Sequence, residues 1–178
     1  MASAVNDRRG APLTDNELLD LVQQRTLAYF WDFAHPVSGM ARERNNASQH
    51  YDHQETAATG GSGFGIMALI AGVTRGFLAP VQVLERIETI VAFLGRAETY
   101  HGVFPHLMHG ATGATIAFSA KDDAGDLVET SYLMAGLLSA RQFFSGSTPR
   151  EVALRAAIDK LWYAVEWSWH TRAREVLY

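Results

Sequence analysis

Lys121-Asp122-Asp123-Ala124-Gly125-Asp126-Leu127-Val128-Glu129-Thr130 sets four carboxylates within eight residues, directly ahead of an amphipathic run from Leu127 to Phe144. The Gly125-Asp126 step breaks the preceding segment. The spacing of Leu127, Leu133, Met134, Leu137, Leu138 and Phe144 then predicts a helix from about Asp126 to Phe144. Asp126 stands at its N-terminus, with Glu129 one turn on. Backbone N–H groups and the helix dipole stabilise carboxylates there, whereas crowding of anions favours protonation of some of them. Opposed influences of this kind separate an acid from a base within one site. Asp-x-x-Glu is equally an N-cap with a capping-box glutamate, worth about 0.5–2 kcal/mol. A cap does not need the two further aspartates, and the two readings are compatible.

Immediately upstream, Val103 to Met108 and Ala114 to Phe118 flank Gly110-Ala111-Thr112-Gly113, which predicts a short β-hairpin leading into the acidic stretch. Other segments are helical by period. Leu18, Leu19, Val22, Leu27, Phe30 and Trp31 mark a first helix opened by Thr14 or Asp15 and stopping at His35-Pro36. Ser38 to Thr59 is a long polar connection with Arg42, Glu43, Arg44, Asn45, Asn46, His50 and Asp52, and structureless loops beyond about 12–15 residues are often functional. Thr59-Gly60-Gly61-Ser62-Gly63-Phe64-Gly65 opens a second helix ending near Arg75-Gly76. The dinucleotide fingerprint fails at Ile66, no phosphate-loop Lys follows, and Phe64 breaks a nucleophile elbow around Ser62. Close helix packing or a sugar-facing backbone turn is the reading that remains. A third helix starts at Pro80, with Val81, Leu84, Ile87, Ile90, Val91 and Leu94 inward, and a fifth follows Pro149 and runs through Val152, Leu154, Ile158, Leu161, Trp162, Val165 and Trp169.

The expected fold is all-α, with antiparallel helical hairpins and one β-hairpin insertion. Helices two and four are rich in Gly, Ala and Ser, which suits an inner layer, with one, three and five outside. That alternation is the pattern of an α/α toroid. Residues 1–14 read as a disordered lead-in and 15–178 as the helical domain.

Composition narrows the function. Fifteen basic against nineteen acidic residues give a formal charge of −4 without a basic stripe, so nucleic acid is not an expected partner. No cysteine is present, which removes disulfides, thiolate nucleophiles and Cys-type zinc sites. No apolar stretch reaches the roughly 18–20 residues of a membrane span, and the N-terminus lacks a signal-like apolar segment, so no membrane partner is expected. The expectation is a cytoplasmic chain as written, or a periplasmic or secreted one if its N-terminus is processed. His50-x-x-His53 and His106-x-x-His109 lack the glutamate and third ligand of a metal motif, so no metal is expected. Trp162, Trp167 and Trp169, with Tyr163, read first as core packing on a long helix rather than as sugar platforms.

Three ordered runs carry a resemblance: Thr26 to Pro36, Thr59 to Gly65, and Lys121 to Leu133. Together they resemble the glucoamylase-like domain family, which includes the endo-β-1,2-glucanases of glycoside hydrolase family 144. The resemblance implies an (α/α)6 toroid, of which this chain would supply a partial, N-terminal portion of fewer than half the barrel helices. It also implies hydrolysis of a β-glucan, most of all β-1,2-glucan, by carboxylate acid/base chemistry without a cofactor. Its pocket acids resemble Asp122, Asp126 and Glu129, and Arg44, Gly61, Ser62, Phe64, His106 and Asp123 stand as candidate substrate contacts. Leu107 replaces a tryptophan that family members often carry, and Ala124 replaces a glycine. A partial toroid leaves helix faces that invite self-association, and a non-catalytic carbohydrate-binding remnant or a structural helical domain is the alternative.

Overall fold

The computed structural model describes residues 12–44 and 54–177. His50, Asp52, His53, Asn45, Asn46 and most of the expected lead-in lie outside the described residues. Among the described residues, six helices and three short strands follow in the order α1 (Asp15–Asp32), β1 (Thr56–Ala58), α2 (Thr59–Thr74), α3 (Pro80–Leu94), β2 (Leu107–His109), β3 (Thr115–Ile116), α4 (Leu127–Phe143), α5 (Pro149–Ala164) and α6 (Trp167–His170).

Local chemistry sets most helix starts. Thr14 and Glu17 form a reciprocal capping box on α1, Pro80 and Pro149 occupy the first turns of α3 and α5, and Thr148 caps α5 through Glu151 N. α2 has neither device: its N-cap is Ala58, which makes no side-chain cap, and no proline stands in its first turn. The missing acceptor comes from α4, whose Glu129 Oε2 accepts the Gly60 N–H at 2.9 Å.

α2 and α4 form the closest-packed helix pair, with α1 and α3 against α2, and α5 against both α3 and α4. This is the inner pair and outer trio anticipated from the small residues. The contact is backbone to backbone. A Cβ on Gly63 would stand 2.1 Å from the Tyr132 carbonyl oxygen, and one on Gly136 would stand 2.3 Å from the Gly63 oxygen. Around the pair, Ile66, Leu69, Leu133, Leu137, Ile87, Ile90, Phe93 and Phe104 are buried almost completely.

Several expectations are corrected. Leu18, Leu19 and Val22 are exposed, and among the α1 residues of the expected stripe only Leu27 is fully buried. In α3 the expected Leu84, Ile87, Ile90, Val91 and Leu94 are buried, but Val81 is exposed and Val83 and Phe93 join the core, so the stripe is broader than the one read off the sequence. The long 38–59 connection contains β1, which pairs antiparallel with β2 in the register Thr56↔His109, Ala57↔Met108 and Ala58↔Leu107. The hairpin partner β3 continues the sheet, with Leu107↔Ile116 and Met108↔Thr115. Residues 41–43 run along the free side of β1 through Ala58 N to Ala41 O and Glu43 N to Thr56 O.

The fifth helix does not reach Trp169. It stops at Ala164, because the 100–103 turn crosses its C-terminus: Gly102 (φ +76°) approaches so closely that a Cβ would lie 2.0 Å from the Ala164 oxygen. Glu166 N then donates to His101 O at 3.1 Å, which starts the separate short helix α6. No helix among the described residues is long and apolar enough to cross a membrane.

Candidate active site

The segment Phe104-Pro105-His106 joins the two inner helices at one end. Thr59, the first residue of α2, donates its N–H to His106 O at 3.1 Å and its hydroxyl to Pro105 O. On the other side, Asp126 N donates to Phe104 O at 2.8 Å, and the Thr130 hydroxyl both accepts from Phe104 N (2.9 Å) and bonds to Phe104 O (3.2 Å). Pro105 also bridges to Gly125. The N-termini of α2 and α4 are therefore fixed on the same strand-like segment, with the His106 ring between them and the acidic loop.

Asp126 is the N-cap of α4: Oδ1 accepts from Val128 N at 2.8 Å and Glu129 N at 3.0 Å. Its Oδ2 lies 3.1 Å from His106 Nδ1, and Asp122 Oδ2 lies 3.3 Å from the same nitrogen. One imidazole edge thus faces two carboxylates, an arrangement that favours its N–H form pointing at them. The three ligand atoms lie within 4.8 Å of one another, so these are the described residues that could hold a cation. A hydrogen bond from the ring already accounts for the contact, and three groups fall short of the four ligands of a closed zinc site. The flat face of the ring has an aromatic partner: His106 stacks on Phe118 at 4.1 Å and 9°.

Glu129 sits one turn along, held against α2 by Gly60 N. It does not line the cavity of about 630 Å³ that Asp122 and Asp126 share with Val128, Ser131, Tyr100 and Trp169. The three predicted acids therefore form two linked groups, Asp122 and Asp126 on one side and Glu129 on the other, joined through the Asp126 cap on Glu129 N.

The other predicted contacts divide. Phe64 is half exposed and packs at 5.1 Å on Tyr132, which flanks Glu129 at Gly60. Gly61 lies in the first turn of α2. Ser62 is buried, and its hydroxyl donates to Ala58 O at 2.7 Å and accepts from Ala41 N at 3.0 Å, so it stitches the loop to the helix. Arg44 lies beyond β1 and is paired with Glu43. Asp123 is exposed in the acidic loop. Sequence reasoning missed Phe118, Tyr132, Tyr100 and Trp169 as neighbours of the acids. For Phe118 the signal was present, since it ends the strand that runs into the acidic loop.

No family model matches the chain. It is 45% identical over 168 residues to an exo β-1,2-glucooligosaccharide sophorohydrolase (non-reducing end) of Parabacteroides distasonis, a match that takes in 94% of this chain and 23% of that protein. Among solved structures it is similar to the endo-β-1,2-glucanase of Chitinophaga pinensis in its sophorotriose and glucose complex, with a TM-score of 0.91 and 46% identity over 94% of this chain and 40% of that one. The β-1,2-glucanase of Parabacteroides distasonis follows, with a TM-score of 0.86 and 45% identity over 94% of this chain and 24% of that one. The chain spans between 23% and 40% of the length of these relatives. Over the residues it spans, the chain is homologous to β-1,2-glucanases and glucoamylase-like proteins, and its helices correspond to part of the (α/α)6 toroid of those neighbours.

Proposed function

We propose that this chain forms one wall of a site that hydrolyses β-1,2-glucan. The observation that carries the reading is the convergence of Asp122 and Asp126 on His106 at the head of the inner helices, in a chain 45–46% identical to β-1,2-glucan hydrolases. Glycoside hydrolysis needs two carboxyl groups about the scissile bond. One is protonated to assist the leaving oxygen, and one is ionised to activate water or attack carbon.

The contacts suggest a division of labour. Asp126 has both oxygens engaged, one on two backbone N–H groups and one on His106, so it orients its neighbours and a sugar hydroxyl rather than delivering a proton. Asp122 has His106 as its near partner and a side chain 30% exposed, which makes it the carboxyl of the pair best able to meet a glycosidic oxygen or a water. Glu129 keeps Oε2 on Gly60 N and offers its remaining oxygen to substrate. The exposed faces of Phe64 and Tyr132 on that side suit a pyranose ring. The reaction needs no metal or cofactor.

The test is the release of short β-1,2-linked oligosaccharides from β-1,2-glucan by the protein that carries this chain. Asp122→Asn and Glu129→Gln should each lower that release by at least about 100-fold, the scale of lost acid/base catalysis. Undiminished release by both variants would sink the assignment of the acids; no release by the parent protein would sink the reaction.

A further inference from the structure

We propose that Trp169 is the floor of a glucosyl-binding subsite next to Asp122 and Asp126, held ready by a Glu166–His101 support. The inference rests on the β-glucan reading above and adds to it a binding surface that the acids do not themselves provide.

Trp169 belongs to α6, which the long-helix reading put in the core. Because α5 stops at Ala164, α6 instead reaches the end of the inner helices where the acids lie. The Trp169 side chain is 44% exposed, and it lines the cavity of about 630 Å³ together with Tyr100, Asp122, Asp126 and Ser131. That volume falls within the roughly 300–1,000 Å³ of small-ligand sites. One indole face is covered: the His101 ring stacks on it at 3.7 Å and 11°. The Tyr100 ring meets its edge at 5.5 Å and 83°.

The support behind the indole is itself anchored. His101 Nδ1 lies 2.9 Å from Glu166 Oε2, and Glu166 N donates to His101 O at 3.1 Å. His101 takes φ +50°, a left-handed conformation in which histidine is enriched among non-glycine residues. Two neighbouring residues of the cavity lining, Trp167 and the buried His170, carry ring nitrogens, Nε1 and Nε2, that have no hydrogen-bond partner among the described residues. An apolar floor of fixed orientation, with carboxylates on the rim, matches a pyranose. Its C–H face is apolar, and its equatorial hydroxyls donate hydrogen bonds outward to acceptors such as Asp122 and Asp126. Two stacked rings with a hydrogen bond behind them do more than fill space, since they fix the tilt of the platform before a ligand arrives.

The experiment titrates the full chain with sophorose and sophorotriose by calorimetry and tryptophan fluorescence. The variants are Trp169→Ala, Trp169→Phe, Glu166→Gln and, as a control remote from the cavity, Tyr163→Ala; circular dichroism melts run alongside. Expected are quenching on binding, a loss of about tenfold or more in affinity for Trp169→Ala, and recovery to within about threefold for Trp169→Phe, which keeps a flat apolar face. Glu166→Gln should weaken binding by a smaller factor, and Tyr163→Ala should leave it unchanged. If the parent binds and Trp169→Ala binds as well at an unchanged melting temperature, the subsite is refuted while the glucan reading stands. If Trp169→Ala unfolds, Trp169→Phe and Glu166→Gln decide: weakened binding in the latter with near-parental binding in the former supports the platform, and any other pattern overturns it. If the parent binds neither sugar, both the subsite and the glucan reading fall.

Discussion

Gly63→Ala is the substitution that most directly tests how the inner helices are held together. The added methyl carbon would lie 2.1 Å from the Tyr132 oxygen, 2.5 Å from its carbonyl carbon and 2.7 Å from Leu133 Cα. Non-bonded carbon contacts are comfortable near about 3.5 Å, so the overlap exceeds about 1 Å. All three atoms are backbone, so no rotamer change on α4 relieves it. The reciprocal approach of Gly136 to Gly63 leaves no slack on the other side. Overpacking typically costs about 1–3 kcal/mol, and Ala returns about 1 kcal/mol of helix propensity over Gly. Because the clash is with two rigid helices, the overpacking should exceed its usual range, giving a net loss of about 2 kcal/mol or more. Urea unfolding followed by circular dichroism should show a lower midpoint at an unchanged slope. Gly95→Ala is the matched control: its φ is −63° and its nearest neighbour is the Val91 oxygen at 3.5 Å, so it should be neutral or stabilising by about 0.4–1 kcal/mol. If Gly63→Ala unfolds at the same urea concentration as Gly95→Ala, the close approach of α2 and α4 is not what the structure describes.

Gly60→Ala meets a different obstacle, the Glu129 carboxylate at 2.5 Å. That group can swing away, so stability should change by less than about 1 kcal/mol as propensity offsets the lost hydrogen bond. Oligosaccharide release should still fall by about 100-fold, since misplacement of about 1 Å has that effect. Asp126 separates cap from charge: Asp126→Ala should lower stability by about 1 kcal/mol and Asp126→Asn by much less, because an amide oxygen still caps, while both should lower activity. Glu55 supplies a pH test. Its carboxyl accepts from the buried His35 Nε2 at 3.0 Å and is held below its ordinary value of 4.5. A depressed carboxyl contributes stability that is present above the unfolded value and lost as pH falls through the folded one. Melting temperatures of Glu55→Gln should therefore fall less steeply than the parent's below about pH 4.5, and parallel curves would remove this pair from the acid limb.

Much of the fold was legible because it is written locally. The period of α3 and α4, the Thr14–Glu17 box, the prolines at 80 and 149 and the cap at Asp126 each act within a turn of where they stand. The Gly and Ala content of α2 and α4 announced close packing, and Gly63 against Gly136 is its physical form. What escaped depends on partners far along the chain. β1 is three residues long and acquires its identity from β2, some fifty residues on. The end of α5 is set by Gly102 crossing Ala164, not by any breaker in the helix itself. Leu18, Leu19 and Val22 have helical spacing and still face solvent, since periodicity shows that a helix has an apolar face and not what covers it.

The acids illustrate the same division inside the site. Asp126 and Glu129 were legible as residues of one helix start, three apart and therefore neighbours on its surface. Their separate tasks were not, because these depend on His106 and Gly60, respectively 20 and 69 residues away. α2 has no side-chain acceptor at its own N-cap, so an unsatisfied N–H at its start draws the Glu129 carboxylate across the inner layer. The contact that completes α2 thus also fixes one wall of the site. Stability and site geometry share this bond, as they share the Asp126 cap. Asp122 is different: it sits on a loop turn closed by its own hydrogen bonds with Ser119, and no helix depends on its charge. Of the three carboxyls it is therefore the one whose replacement should separate chemistry from folding, which is why its loss weighs most in deciding what this site does.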